Sequence, residues 1–288
     1  MKIGVLYYPY GGAYARYGKE AFAKMKAAGF SAVDYNMAET ETELYTLSDA
    51  ELEAKMLADK KAASDAGVEI SQVHGPWRWP PQDATEEQRQ ERLEKMKRSL
   101  LATRMLGCKY WVVHPIMPYW ITDLETGDAQ KTWDLNLTFM QELLSYAKEQ
   151  DVTICLENMP MCKFSMATPQ NVFDFVKTIN DEHFKICLDV GHTAVFPELS
   201  PANAVRELGE AIKVLHIHDN MGNKDSHLRP TEGIVDWDDF GKALKEIGFN
   251  GVFSLETEFD DGLNDEELEA ESIKLCDIAR SIINKADL

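Results

Sequence analysis

Eight short apolar runs, separated by longer segments with helical patterning, recur along the whole 288-residue chain. Several runs are almost continuously apolar, as expected for strands that are buried on both faces of a parallel sheet. The predicted strands are Ile3–Tyr7, Ala32–Asn36, Val68–His74, Tyr110–His114, Val152–Glu157, Lys185–Asp189, Lys213–His218 and Val252–Glu256. This alternation of strand and helix predicts an α/β protein with a parallel sheet.

The segments between the predicted strands carry recognisable helix starts and stops. Capping boxes begin at Ser48 and Thr85, and a cap residue precedes a proline at Thr168-Pro169 and Ser200-Pro201. Glycines expected at helix ends are Gly29, Gly67, Gly107 and Gly248. The final helix is predicted over Asp265–Ile283.

Eight strands and eight helices in a chain of this length fit one (β/α)8 TIM barrel spanning residues 1–288. The alternative is a doubly wound open sheet, which is expected to carry a glycine-rich phosphate loop after an early strand. The sequence around Gly11-Gly12 does not match that pattern. Two longer connections, Gly75–Ala84 and Ile116–Lys131, are rich in Trp, Pro and Tyr, and we predict that they are active-site loops.

Charge and composition exclude several classes of partner. With 30 basic and 49 acidic residues, the net charge is −19, which disfavours nucleic acids and anionic membrane surfaces. No run approaches the roughly 20 apolar residues of a membrane span, and the amino terminus is predicted to be a strand and not a signal peptide. Five cysteines without C-x-x-C spacing indicate a reducing, cytoplasmic location. The sequence does not specify an oligomeric state, and a homo-oligomer is compatible with it.

Ionisable residues are concentrated at the ends of the predicted strands. Six strands end in a candidate ligand or acid–base group: His74, His114, Glu157, Asp189, His216 and Glu256. In a parallel barrel these ends meet at one face. Charged groups in such surroundings are costly unless they are paired or coordinated. The set of carboxylates and imidazoles therefore predicts a divalent-metal site, with a structural ion-pair network as the alternative.

Further candidate ligands lie near the ends of two of these strands and on the loop after the second. His192 follows Asp189 by three residues, and His218 follows His216 by two, so His216 and His218 are expected to point the same way. The pair Asp225 and His227 could add ligands to the site or could brace their loop by a hydrogen bond.

The ordered series of motifs resembles the xylose-isomerase-like barrel superfamily, which groups sugar isomerases and epimerases, inosose dehydratases and apurinic-site endonucleases. The motifs are His74-Gly-Pro, Val113-His114-Pro, Leu156-Glu157-Asn158, Leu188-Asp189-Val-Gly-His192, Leu215-His216-Ile-His-Asp219, Asp225-Ser-His227, Glu232-Gly233-Ile-Val-Asp236-Trp237 and Leu255-Glu256-Thr257. Their order covers nearly the whole chain.

The resemblance implies a set of metal ligands. In the epimerase branch one divalent ion would be held by Glu157, Asp189, His216 and Glu256. The endonuclease branch adds five ligands to build a three-zinc cluster, at positions matching His74, His114, His192, Asp225 and His227. Both sets are present, so the number of ions stays open. The carboxylates suit Mn²⁺ and the added histidines favour Zn²⁺, while Mg²⁺ or Co²⁺ would also be accepted.

The first functional hypothesis is an isomerase or epimerase acting on a small sugar through an enediolate. The resemblance implies that Glu157 and Glu256 transfer protons from opposite sides of the substrate, and that His192 binds a substrate oxygen. Apolar side chains on the loops, among them Trp77, Trp120 and Phe196, could line a sugar pocket or could serve only loop packing.

Three alternatives use the same residues. A dehydratase or lyase acting on a keto-sugar or cyclitol would pass through the same enolate. An apurinic-site endonuclease would use the larger ligand set, but the acidic charge and the absence of an Arg/Lys cluster oppose it. The third alternative is a metal-binding protein without catalytic activity.

Overall fold

Parallel strands form one sheet in a computed structural model that describes residues 1–257 and 259–288. The strands are β1 (Lys2–Tyr7), β2 (Ala32–Asn36), β3 (Glu69–His74), β4 (Tyr110–Val113), β5 (Pro118–Ile121), β6 (Thr153–Glu157), β7 (Phe184–Asp189), β8 (Ile212–His216) and β9 (Val252–Leu255). The order in the eight-stranded sheet is β8-β7-β6-β4-β3-β2-β1-β9. The short strand β5 is not part of that order.

The two outer strands of this order meet through the residue that follows β8. Ile217 forms a parallel bridge with Leu255, its amide donates to the Ser254 carbonyl (2.8 Å), and its carbonyl accepts from the Glu256 amide (2.9 Å). The sheet is therefore a nearly closed barrel, and the predicted (β/α)8 class is confirmed. Strand β8 ends at His216, so His218 lies beyond the strand on which it was predicted.

Helices fill the connections between the strands. They are α1 (Gly12–Ala15), α2 (Ala21–Ala28), α3 (Asp49–Ala66), α4 (Glu86–Leu106), α5 (Asp123–Thr126), α6 (Ala129–Glu149), α7 (Pro169–Ile179), α8 (Val190–Ala194), α9 (Pro201–Leu208), α10 (Trp237–Glu246) and α11 (Asp265–Ala286). Single 3₁₀ turns occur at Gly18–Glu20, Glu43–Tyr45 and Gly209–Ala211. No helix in the described ranges is long and apolar enough to cross a membrane.

Local sequence signals explain most of these helix boundaries. Both capping boxes form, at Ser48 and Thr85, and prolines occupy the first turns of α7 and α9 as predicted. Helix α11 extends to Ala286, three residues past the predicted end. The short helices α1, α5 and α8 were not predicted, because four or five residues show no helical periodicity.

A small apolar cluster lies in the barrel interior below the strand-end ligands. Cys155 and Cys187 are fully buried and pack with Val112 and Val214 in a small cluster. Each cysteine lies two residues before a strand-end carboxylate, so it shares the inward face with that carboxylate. Strands β6 and β7 therefore carry small apolar side chains inside the barrel and end in charged groups at its carboxyl-terminal face.

Candidate metal centre

The strand-end carboxylates and imidazoles converge on the carboxyl-terminal face of the barrel. Glu157, Asp189 and His216 are the last residues of β6, β7 and β8, while His114 and Glu256 follow β4 and β9 directly. All five are buried. Neighbouring strands are in register here, with Glu157 beside Cys187 and Asp189 beside His216. The parallel strand order therefore brings ligands from separate strands to the carboxyl-terminal face of the barrel.

Four of these residues form a compact central group: Glu157, Asp189, His216 and Glu256. Each offers one ligand atom, and the four atoms lie within 4.8 Å of one another. His216 Nδ1 is 3.0 Å from Glu157 Oε1, 3.2 Å from Glu256 Oε2 and 3.9 Å from Asp189 Oδ2. Three carboxylates thus face one imidazole nitrogen at distances that a shared cation could bridge.

A second group lies beside the central one and shares Glu157 and His216 with it; His74 belongs to this group, and His114 lies against it. His114 Nε2 is 3.1 Å and His74 Nε2 is 3.5 Å from Glu157 Oε2. The two imidazole nitrogens are 3.2 Å apart. Glu157 therefore uses one carboxylate oxygen toward each group.

A third group lies on the loops beyond β7 and β8 and consists of His192, His218, Asp225 and His227. Asp225 Oδ2 is 3.2 Å from His192 Nε2 and 3.1 Å from His227 Nε2, and Asp225 Oδ1 is 3.9 Å from His218 Nδ1. The structure thus places Asp225 and His227 with His192. His218 was recognised in the sequence only as a neighbour of His216, and it joins this group because its ring lies over that of His227 at 4.1 Å.

Each histidine of the three groups except His114 has one ring nitrogen held by a fixed acceptor. Carbonyl oxygens accept from Nδ1 of His74 (Gly75, 2.8 Å), His192 (Asn158, 2.8 Å) and His227 (Glu256, 2.9 Å). Carboxylates accept from Nε2 of His216 (Asp34, 2.9 Å) and His218 (Asp189, 3.0 Å). The other nitrogen of each ring faces the cluster, which is the arrangement that orients histidine metal ligands.

The donor set fits divalent cations on a further observation. Glu157 Oε2, Glu256 Oε2, His218 Nδ1 and Asp225 Oδ1 are buried without a hydrogen-bond partner among the described residues. Buried polar atoms are normally paired, because an unpaired one forfeits its hydration. Imidazole lone pairs directed at carboxylates also repel unless a proton or a cation lies between them. Cations in these groups would satisfy both requirements.

The carboxylates and imidazoles of these groups shift one another's pKa values strongly. Burial raises the pKa of Glu256 to about 7 against the pull of His216 and His227. Burial would also raise the pKa of Glu157, but His216 and His114 outweigh it and lower that pKa well below its usual range. Burial opposes protonation of His192, yet Asp189 and Asp225 raise its pKa to about 10. A metal ion bound beside His192 would therefore compete with a proton for the ring.

Asp34 and Gln72 support the central group and were missed in the sequence. Asp34 lies on β2, is almost completely buried, and accepts from His216 Nε2 (2.9 Å) and from Gln72 Nε2 (2.9 Å). The available signal was a carboxylate in the middle of a fully buried strand. A carboxylate that holds the second nitrogen of a ligand histidine fixes its ring and raises its basicity.

We expect Asp34→Asn to weaken binding of the central ion about 10- to 100-fold, because the His216 ring loses its charged acceptor. The measurement is a competition titration of Mn²⁺ or Zn²⁺ against a chromogenic chelator. Asp59→Asn is the matched control, since Asp59 is also buried but bonds the Tyr35 hydroxyl (2.7 Å) outside the cluster. Equal affinities for wild type and Asp34→Asn would contradict this role.

Two features hold the third group in place. Asp219 is fully buried and accepts hydrogen bonds from the Thr231 amide (3.0 Å), the Val235 amide (3.2 Å) and Trp237 Nε1 (2.8 Å). Because Asp219 precedes the loop that carries Asp225 and His227, and its three donors follow that loop, these bonds hold the two ends of the loop together. Gly191 leaves room for a ligand ring, because a Cβ there would lie 2.0 Å from His218 Cε1.

The predicted pocket residues are only partly brought to the site. Trp77 is half-buried and its ring centroid is 4.6 Å from that of His114, while Trp120 is 44% exposed at the same face. Phe196 is buried in the main hydrophobic core, and its role as a pocket wall stays a prediction. A cavity of about 230 Å³ is lined by residues that include Tyr8, Glu39 and Thr257, the residue that follows Glu256 in the chain.

Comparisons with known proteins agree with this geometry. The xylose isomerase-like TIM barrel family matches residues 22–278. D-psicose 3-epimerase from Enterocloster bolteae is 25% identical over 256 residues, covering 86% of this chain and 81% of that protein. An uncharacterized protein from Methanocaldococcus jannaschii is 31% identical over 189 residues, covering 64% of this chain and 63% of its own length.

A solved structure extends the similarity to the complete fold. The crystal structure of a D-tagatose 3-epimerase-like protein superposes with a TM-score of 0.75 at 25% identity, covering 100% of both chains. The similar proteins thus include sugar epimerases. With a barrel of parallel strands, a ligand cluster at their carboxyl ends and a family match across most of its length, the chain belongs to the xylose isomerase-like TIM barrel family.

Proposed function

We propose that the protein is a divalent-metal-dependent isomerase or epimerase of a sugar or sugar-derived polyhydroxy carbonyl compound. The observation that carries this proposal is the position of two glutamates around one imidazole. Glu157 and Glu256 come from strands that are not neighbours in the sheet, yet their oxygens lie 3.0 and 3.2 Å from His216 Nδ1. A substrate bound at this point would have a carboxylate on either side.

The central group would hold the essential ion, with Mn²⁺ or Zn²⁺ as the cations that best match its mixed oxygen and nitrogen donors. Such an ion polarises a carbonyl and stabilises the negative charge that develops when a neighbouring proton is removed. The outer groups at His74 and His114, and at Asp225 and His227, would hold further ions or bind substrate oxygens.

The protein's own groups would perform the proton transfers. One of Glu157 and Glu256 removes the proton next to the carbonyl, and the other returns a proton from the opposite side. His192 would bind a substrate oxygen through Nε2, because its Nδ1 is fixed by the Asn158 carbonyl. The burial of all three side chains keeps bulk water away from the reacting carbon.

The relatives support this reaction class over phosphodiester hydrolysis. D-psicose 3-epimerase is a sugar epimerase by name and aligns with 86% of the chain. The complete set of nine ligand positions favours the endonuclease alternative, but the net charge of −19 opposes binding to a polyanion. A dehydratase would share the proton-removal step and then expel water.

The test is conversion of free keto-sugars, beginning with D-psicose, D-fructose and D-tagatose, by protein loaded with Mn²⁺ or Zn²⁺ in deuterated water. We expect an isomeric product with deuterium at the carbon next to the carbonyl, since an acid–base mechanism draws its proton from solvent. Mass spectrometry and NMR measure both the product and its label.

Other outcomes would contradict the proposal. A product lighter by one water would indicate a dehydratase. Cleavage of an abasic DNA duplex without conversion of any sugar would indicate the endonuclease reading. Conversion without solvent label, together with transfer of a substrate deuterium between carbons, would indicate a hydride shift in place of proton transfer.

A further inference from the structure

Three tryptophan rings run outward from the metal centre to the solvent and form what we call the tryptophan shelf: Trp77, Trp79 and Trp120. Trp77 lies against His114, with ring centroids 4.6 Å apart. The ring centroids of Trp77 and Trp79 are 6.2 Å apart, and those of Trp79 and Trp120 are 5.7 Å apart. The two outer rings are 55% and 44% exposed. The shelf is therefore continuous with the candidate active site at its inner end and open to solvent at its outer end.

Folding alone does not account for the outer part of the shelf. Large apolar side chains gain stability by burial, yet Trp79 and Trp120 keep about half of their surface in water. Trp120 also adopts a φ of 61°, a conformation that is strained for a bulky aromatic residue. Exposed apolar surface next to a functional cleft is characteristic of a ligand-binding site.

The charges around the shelf select a neutral ligand. The Arg78 guanidinium is engaged by Thr40 Oγ1 (2.7 Å), Gln82 Oε1 (2.6 Å) and Glu91 Oε1 (2.7 Å). Lys131 pairs with Asp128 and Lys163 with Glu125. These cations on the two shelf-bearing loops and beside them are already committed to protein acceptors. A phosphate would find no unpaired positive charge among them.

A pyranose ring suits such a surface. Its faces carry C–H groups that pack on an indole, and its hydroxyls at the edge remain in water. A half-exposed aromatic surface can contact the C–H face of the sugar ring while the hydroxyl groups at the ring edge stay in solvent. A nucleobase could also stack there, but its phosphodiester chain would meet a protein of net charge −19.

We propose that the tryptophan shelf is an outer subsite for a second, neutral sugar ring, so that the preferred substrate is a glycoside or disaccharide whose keto-sugar unit enters the metal centre. This inference rests on the proposed function for the identity of the inner unit. The outer ring would contribute binding without taking part in proton transfer.

The experiment compares D-fructose with isomaltulose, in which a glucosyl ring is attached to the fructose unit, using metal-loaded protein. We expect kcat/KM for isomaltulose to exceed that for D-fructose about tenfold or more. Trp79→Ala and Trp120→Ala should reduce this ratio toward one. Leu57→Ala is the control, because Leu57 is an equally exposed apolar residue (49%) on α3, outside the shelf.

Binding of the outer ring is measured separately by saturation-transfer NMR with isomaltulose. If the glucosyl protons are saturated in wild type and not in Trp79→Ala, the outer subsite is supported. This holds even if no sugar is converted, and in that case only the proposed function fails. Conversion of D-fructose with no preference for isomaltulose and no glucosyl saturation overturns the subsite while the proposed function stands. Conversion of a wild-type dimer into monomers by Trp79→Ala would overturn it in favour of a subunit contact. Binding of an abasic duplex that depends on Trp79 would overturn it in favour of a stacked base.

Discussion

Replacement of Glu157 or Glu256 by glutamine is expected to lower kcat on a keto-sugar by about 10²–10⁴-fold, with a much smaller change in KM. An amide has nearly the shape of a carboxylate but cannot take up a proton at neutral pH. Both side chains are buried at the same imidazole nitrogen, so solvent cannot easily substitute for the missing base. Steady-state kinetics of metal-reloaded variants, with metal content measured on the same samples, provides the test.

The control for these variants is Glu53→Gln, because Glu53 is exposed on α3 and distant from the cluster. It should match wild type in kcat and KM. If metal-loaded Glu157→Gln and Glu256→Gln both turn over at wild-type rates, neither glutamate transfers the proton. If only one of them is impaired, that residue serves both sides of the substrate.

The second large effect concerns metal content. Wild type is expected to retain at least one divalent ion per chain after chelation and reloading, and Asp189→Ala and His216→Ala should lose most of the central ion. Asp189→Ala removes a ligand and leaves the buried His218 ring without its acceptor, while His216→Ala removes a ligand and leaves Glu157 and Glu256 without their imidazole partner. Asp189→Ala should also weaken ion binding by the third group, because the Asp189 side chain caps α8, which carries His192, and accepts a hydrogen bond from His218. Elemental analysis of the purified protein gives the ions per chain.

His183→Ala is the matched control for metal content. His183 lies just before β7 near Asp181 and is the one histidine of the sequence outside the three groups. Its replacement should leave the ion count unchanged, and far-UV circular dichroism should show that every variant is folded. Full metal content in Asp189→Ala and His216→Ala would mean that the ions bind elsewhere.

Strand ends were predictable because the relevant signals are local. A buried parallel strand is a short apolar run that ends in a charged residue, as Ile154–Leu156 ends at Glu157 and Ile186–Leu188 ends at Asp189. Once eight such runs are counted, barrel closure brings their ends to one face without further information. The short helix α8 escaped prediction, since five residues are too few to show a period.

The supporting contacts were not predictable, because they depend on how the strands register across the closed barrel. Asp34 reaches His216 over 182 positions of sequence, and no local pattern encodes that distance. Phe196 was predicted from its place on a loop either to line the pocket or to pack the loop, and its burial in the main core was not part of that prediction. Residue type and loop position do not determine on which side of a loop a side chain packs.

The sequence by itself determined the α/β barrel and the strand ends that carry the ligands, because apolar periodicity and strand order are properties of neighbouring residues. Only the tertiary structure decided how the ligands divide into three groups, two of which share Glu157, while Asp189 of the central group contacts His218 of the third. It also decided that Trp77, Trp79 and Trp120 form one surface. These are distances between side chains from different strands and loops, and such distances exist only after the sheet has closed with a particular register.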